Sequence, residues 1–243
     1  MAKGSPPARV MAPAAAPLAL RTDDHDAQLG SQLDALATAC AACRCCGLAG
    51  GRQQVVVGRG HGAARLMLIG EAPGAQEDAA GLPFVGRSGL LLDQLLAGAG
   101  IASDRDVYIC NVVKCRPPDN RRPTAAEMAA CRPWLEQQIA LVDPALILLV
   151  GASALQGVLG IKGGITRLRG QWLPGDGGLL TGRWLMPLLH PAYLLRNPRL
   201  REGSPRWHTA QDLLEVRRCL DGGRPGGDRP AGGPGGGPNP RPL

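Results

Sequence analysis

Three short segments of this sequence carry side chains suited to chemistry. The first is Gly70-Glu71-Ala72-Pro73-Gly74-Ala75-Gln76-Glu77-Asp78. Its glycines let the backbone come close to a ligand, and a carboxylate held there can orient water or stabilise a cation. No Gly-Lys-Ser/Thr follows, and carboxylates repel phosphate, so this is not a phosphate-binding loop. The plain alternative is a solvated acidic turn. The second is His190-Pro191-Ala192-Tyr193-Leu194-Leu195-Arg196-Asn197-Pro198. A histidine is the side chain most easily poised between charge states, unless local backbone simply satisfies it. Leu194 and Leu195 beside Arg196 fit either a wedge inserted into a base stack or two core residues. The third is Gly81-Leu82-Pro83-Phe84-Val85-Gly86-Arg87-Ser88-Gly89, which holds the only Phe of the chain. Its ring fits a planar ligand or a hydrophobic plug beneath the loop.

The eight cysteines are a fourth feature: Cys40, Cys43, Cys45, Cys46, Cys110, Cys115, Cys131 and Cys219. Cys40-x2-Cys43 and Cys43-x2-Cys46 overlap, so one pair of the two is expected to serve. Cys115 and Cys131 follow, with fifteen residues between them. Four thiolates suit a [4Fe–4S] cluster or structural zinc, and spacing alone leaves both open. The apolar stretch Val10–Leu20 is broken by Pro13 and Pro17 and lacks a clear cleavage site. A reduced, cytoplasmic chain is therefore expected, where clustered cysteines bind metal more often than they form disulfides.

The elements that must position these residues can be read from the apolar pattern. The chain has 243 residues, 44% hydrophobic and 19% charged, enough for one ordinary core. No apolar run reaches the ~18–20 residues of a membrane span. Aromatics are 3%, so aliphatic packing must build the core. Strands are predicted at Arg65–Ile69, Val107–Val113, Ala145–Val150 and Trp184–Leu189. Helices are predicted at Gln32–Ala42, Ser88–Ala99, Ala125–Val142, Ser153–Leu159 and His208–Leu220. Thr124 and Glu127 have capping-box spacing, and Pro133 is expected to kink that helix or open a second one. The alternation predicts an α/β fold, a three-layer α/β/α sandwich around a central, mainly parallel, four-stranded sheet. Ligands of such sheets sit at the carboxyl ends of the strands. Glu71, Asn111 and His190 each fall at a strand end, so topology alone brings them to one rim.

Residues 1–30 lack sustained periodicity and are expected to be disordered. Residues 221–243 hold nine Gly and six Pro and are expected to be a disordered tail. That leaves one domain at 31–220. Net charge is 27 − 20 = +7, of which the C-terminal tail carries +1 and the N-terminal segment none. The basic excess thus belongs to the domain and favours a polyanionic partner.

Taken together, the motifs resemble the family 4, iron–sulfur-containing uracil-DNA glycosylases. The resemblance runs from about Leu33 to Leu220. It rests on Gly-Glu-Ala-Pro-Gly at 70–74, Gly-x-Pro-Phe-Val-Gly at 81–86, and Asn111 in Asn-Val-Val-Lys-Cys. Cys115-Arg-Pro-Pro with Asn120-Arg121, and His190-Pro-Ala-Tyr-Leu-Leu-Arg-Asn-Pro, complete the set. The family's leading cysteine pair reads here as Cys43-Arg44-Cys45-Cys46-Gly47-Leu48. The resemblance therefore implies Cys43, Cys46, Cys115 and Cys131 as cluster ligands, with Cys40 competing with Cys46 and with Cys110 and Cys219 structural. Family 5 relatives resemble this chain but have an apolar residue where Glu71 stands. A covalent uracil-trapping relative has an inserted basic loop with a reactive His, whereas Cys115–Thr124 is short and has none.

The resemblance implies a monofunctional DNA N-glycosylase of base excision repair, acting on deoxyuridine flipped out of DNA. Phe84 would stack on the uracil, beside Ala72. Asn111 would pair with O4 and N3–H. Cytosine reverses that pattern, at a cost of roughly 1–3 kcal/mol for each buried group left unpaired. Glu77 would crowd the methyl of thymine. His190 would donate a hydrogen bond to O2 as uracil leaves as an anion, and Glu71 would position the attacking water and stabilise the cationic sugar. Leu194 or Leu195 with Arg196 would fill the gap in the stack. Arg116, Arg121 and Arg122 would contact DNA, unless they are only a solvated basic loop. A monomeric protein of a bacterial or archaeal cytoplasm is implied, with covalent trapping of the product or a broader choice of deaminated bases as the alternatives.

Overall fold

The computed structural model describes residues 23–226. The sheet is built from Arg59–Gly60 (β1), Leu66–Gly70 (β2), Val107–Asn111 (β3), Leu146–Val150 (β4), Leu173–Pro174 (β5) and Trp184–Leu188 (β6). Their order is β1-β3-β2-β4-β6-β5. The four central strands are mutually parallel, and the two edge strands pair antiparallel. The four predicted strands are thus the parallel core. The sheet has six strands rather than four because β1 and β5, at two residues each, are too short to leave any alternation in the sequence.

β2, β3 and β4 are buried at every residue, as expected of a parallel sheet covered on both faces. Alternate side chains serve opposite layers. Met67, Ile69, Ile147 and Leu149 face Ala125–Val142 (α4) and Ala152–Leu159 (α5). Leu66, Leu68, Leu146 and Leu148 face Arg87–Gly98 (α3) and Pro205–Leu220 (α8). Each such side chain contributes about 1.5–3 kcal/mol by leaving water, so the register of the central strands is strongly fixed.

α4 opens on the predicted capping box. Thr124 Oγ1 accepts from Glu127 N at 3.2 Å, and Glu127 Oε2 accepts from Thr124 N at 2.7 Å. Pro133 lies inside this helix and opens no second one; only the Ala129 carbonyl loses its helical partner. The first helix runs from Asp23 to Ala41 (α1), so residues 23–30 are helical where disorder was expected. Leu29, Leu36 and Cys40 are buried, and with Leu33 they form a stripe at helical spacing that extends back past residue 30. The remainder of both expected tails, 1–22 and 227–243, lies outside the described residues. Ala75–Ala80 (α2), Ile165–Leu168 (α6) and Pro191–Arg196 (α7) complete the helices. Among the described residues no helix is long and apolar enough to cross a membrane.

Candidate active site

The four parallel strands each deliver one polar side chain to the same rim. Asn111 ends β3, Glu71 follows β2, Ser153 follows β4 through Gly151, and His190 follows β6. The first two and the last were predicted. Ser153 was missed, although the same strand-end rule applied to Gly151-Ala152-Ser153 would have found it. Asn111, Glu71 and His190 line a cavity of about 650 Å³ together with Ala72, Glu77, Phe84, Arg87, Arg121 and Arg196, while Ser153 stands behind Glu71 and does not line it.

Asn111 is 2% exposed, and its Oδ1 has no hydrogen-bond partner. A buried amide oxygen left unpaired costs about 1–3 kcal/mol, so it marks where a ligand donor belongs. Gly70 pairs with Asn111 in register. A Cβ at Gly70 would run into the Asn111 amide and the Phe84 ring, so glycine is what lets both reach the cavity.

Phe84 is buried and has a positive φ of 54°, which is strained for a bulky residue. Its loop is held from two sides. Arg59 donates to the Pro83 carbonyl at 2.9 Å and the Phe84 carbonyl at 3.4 Å, and pairs with Asp93 at 2.7 Å. Glu77 Oε1 accepts from Val85 N at 3.1 Å and Gly86 N at 2.8 Å, while its Oε2 accepts from Gly74 N at 3.1 Å. Glu77 therefore lines the cavity and also staples the loop that presents Phe84.

His190 is the N-cap of α7. Its Nδ1 accepts from Ala192 N at 3.1 Å, so a neutral ring must carry its proton on Nε2. Burial pushes its pKa below the ordinary value, against the pull of Glu71. The ring is thus a neutral N–H donor, 6.2 Å from the Phe84 ring between centroids. Glu71 is 28% exposed at its side chain, and Oε2 lies 3.8 Å from Arg122 Nε. The same oxygen accepts a hydrogen bond from Ser153 Oγ.

The remaining predicted contacts divide. Arg196 is exposed on the cavity mouth. Leu194 is not a surface wedge: it is 0% exposed and packs with Leu91 and Leu189, because α7 turns that face onto α3. Leu195 is half-buried against the same cluster. Arg121 reaches the cavity, but its fork is engaged by Glu127 at 2.6 and 2.9 Å, which holds that carboxyl down at about 2. Arg116 is half-buried, bonded to Asn120 Oδ1 at 2.8 Å, and does not line the cavity. Arg87, exposed at the start of α3, was missed by the sequence reading.

The thiols do not line this cavity. Cys43 and Cys46 follow α1, Cys115 follows β3, and Cys131 sits in α4. Cys115 is within electrostatic reach of Cys43 and Cys46, and Cys131 of Cys115 and Cys46. Cys40 stands within the same reach of Cys43, Cys115 and Cys131. Among the described residues no three such donors stand at single-ion spacing. The sulfurs of Cys43, Cys115 and Cys131 each face an N–H donor. Trp134 Nε1 donates to Cys43 Sγ at 3.4 Å, Arg52 Nη1 to Cys115 Sγ at 3.3 Å, and Lys114 N to Cys131 Sγ at 3.3 Å. Burial pushes the Cys131 thiol up to about 11.

A sequence profile of the uracil DNA glycosylase superfamily matches residues 57–214. A type-4 uracil-DNA glycosylase of Thermotoga maritima is 49% identical over 179 residues, covering 73% of this chain and 89% of that one. One from Pyrobaculum aerophilum is 42% identical over 164 residues, 65% of this chain and 82% of that one. A type-5 enzyme of Thermus thermophilus is 36% identical over only 118 residues, 43% and 53% of the two chains. The chain belongs to the uracil-DNA glycosylase superfamily, and within it to the type-4 uracil-DNA glycosylases.

Proposed function

We propose that this cavity excises uracil from DNA by hydrolysing the bond between N1 and C1′, leaving an intact abasic site. The observation that carries the reading is the unpaired, buried Asn111 Oδ1, set in a cavity shared with the Phe84 ring and the neutral His190. The uracil N3–H is the donor that this oxygen lacks, and the Asn111 amide N–H suits uracil O4. Cytosine offers the reverse pattern and leaves the amide unpaired. Phe84 stacks on the base, with Ala72 beside it.

As the bond breaks, uracil gains negative charge and the sugar gains oxocarbenium character. His190, donating from Nε2, stabilises the charge on O2 without first losing a proton of its own. Glu71 orients water toward C1′ and faces the sugar cation. No lysine lines the cavity, consistent with hydrolysis and without a Schiff base. Glu77 serves discrimination indirectly, by fixing the loop that sets how closely Phe84 approaches the 5-position.

The chemistry of the thiol set fits a [4Fe–4S] cluster held by Cys43, Cys46, Cys115 and Cys131, since N–H donors aimed at cysteine sulfur are what cluster thiolates accept. Bound there, the cluster supplies iron–thiolate bonds that join the segment after α1 to the loop after β3 and to α4. In the same reading residues 31–220, extended back to Asp23, form one DNA-acting domain of a monomer in the cytoplasm.

A labelled oligonucleotide carrying one uracil tests this on a denaturing gel. Cleavage at uracil only, and only after hot alkali, is the expected result. A band that survives denaturation at reduced mobility means covalent trapping instead. Equal cleavage at hypoxanthine or mismatched thymine means a broader enzyme.

A further inference from the structure

We propose that Ser153 and Arg122 are a positioning pair for Glu71, an inference that rests on the role given to Glu71 above. Ser153 is 2% exposed, so it touches neither solvent nor DNA. Its Oγ accepts from Arg122 Nε at 3.1 Å and from Arg122 Nη2 at 2.9 Å, and it contacts Glu71 Oε2.

A hydroxyl has one proton and two acceptor lone pairs. The two guanidinium N–H groups take both lone pairs, because arginine can only donate. The proton is left for the carboxylate. The ionised carboxylate can only accept, so the bond runs from Ser153 to Glu71 and is charge-assisted, and Arg122, by filling the lone pairs, holds the hydroxyl in that orientation. Glu71 Oε2 is occupied, and Oε1 is the oxygen left for water and sugar. Without the pair, a flexible glutamate on a glycine-flanked turn would lose its fixed rotamer. A displacement of about 1 Å at a reacting group can cost ~10²-fold in rate. Arg122 comes from the loop between Cys115 and α4, so the pair also ties Glu71 to the thiol-bearing part of the chain.

Single-turnover rates and equilibrium binding of uracil-containing DNA test this on the full chain with its cofactor. Ser153→Ala is expected to slow cleavage by ~10–100-fold with binding unchanged within about twofold, and Ser153→Thr, which keeps the hydroxyl, to recover most of the rate. Arg122→Gln, at a 64% exposed side chain and safe for folding, is expected to slow the step by less. On a Glu71→Gln background, Ser153→Ala is expected to add almost nothing, since neighbours acting through one group are not additive. Wild-type rates for both Ser153→Ala and Arg122→Gln, with Glu71→Gln impaired, would overturn the pair. So would an equal loss from Ser153→Ala on both backgrounds. A fully active Glu71→Gln would instead overturn the role of Glu71 itself.

Discussion

The cavity rim and the thiol-bearing region lie in one domain but are positioned in opposite ways. Each rim residue follows one of four parallel strands whose ladder is buried on both faces. Backbone pairing places Asn111, Glu71, Ser153 and His190, and the core holds them there before any ligand arrives. The thiols come from the segment after α1, from the loop after β3 and from α4. No strand ladder joins these segments. What joins them is side-chain packing and bonding: Leu48, Cys115, Cys131 and Leu135 share one apolar cluster, and Arg52 donates to the Ala41 carbonyl at 2.8 Å and to Cys115 Sγ. The rim is thus preorganised by the fold, whereas the thiol region rests on side-chain contacts that the proposed cluster would reinforce. Chemistry and cohesion should fail separately.

The sharpest break in that separation is expected at His190. His190→Ala should lower the single-turnover rate by ~10²–10³, as for loss of one oxyanion donor, while leaving the visible absorbance of the cofactor and the melting temperature nearly as they were. Loss of absorbance in this variant would mean that the two regions are not independent. The pH profile sharpens the same point. Burial lowers the pKa of His190, and in the proposed reaction the neutral ring is the working form. The rate should therefore hold as pH falls through 6.5 and decline only below it. The stability contributed by burying a neutral ring is complete above the unfolded value and is lost as pH falls through the folded one. An acid limb centred above 6.5 would contradict this environment.

The converse break lies among the thiols. Cys115→Ser should abolish the absorbance of the proposed cluster and lower the melting temperature by about 10 °C or more, because metal binding is coupled to folding. At temperatures where the variant remains folded, its rate per folded molecule should stay within about tenfold of wild type, since the strands hold the rim and only Arg122 reaches it from the thiol-bearing loop. Cys46→Ser should behave like Cys115→Ser, and Cys40→Ser should keep the absorbance. The opposite result for that last pair would make Cys40 the partner of Cys43.

The same contrast governs what was legible in the sequence. Strand ends are legible because continuous apolar runs end abruptly at polar residues, as at Gly70-Glu71 and His190-Pro191. Asn111 and Phe84 were legible as chemistry, but the reason they can approach each other was not, because it depends on Gly70 facing both from the neighbouring strand. Ser153 was hidden by its type: a serine beginning a helix reads as an ordinary start signal. Leu194 and Leu195 could not be told apart. Adjacent helical positions point about 100° apart, and only the packing of α7 against α3 decides which of them enters the core. Arg59 and Asp93 are 34 residues apart, and no local pattern pairs them.

That ambiguity gives a smaller test. Leu194→Ala should cost ~3–5 kcal/mol of stability, the range for a fully buried leucine, with little change in rate per folded molecule. Leu195→Ala, at a half-buried position, should cost less stability and slow the reaction on duplex DNA more than on single strands, if it is the side chain that fills the emptied stack. Equal behaviour of the two would dissolve the distinction drawn from α7.

The smallest effect is expected at the cavity mouth, where three arginines are not equivalent. Arg87 and Arg196 are exposed there, whereas the Arg121 fork is already engaged by Glu127. Each phosphate contact contributes about 0.9 to the slope of log affinity against log salt concentration. Arg87→Ala should therefore lower that slope by about one for non-specific DNA, with a modest loss of affinity and no change in the rate of bond cleavage at saturation. Arg121→Ala should lower it by less, because its charge is already balanced by Glu127 and only the N–H groups turned away from that carboxylate remain for phosphate. A larger change at Arg121 than at Arg87 would mean that DNA displaces Glu127. The capping box at Thr124 would then loosen on binding, and the loop carrying Arg122 would become a moving part.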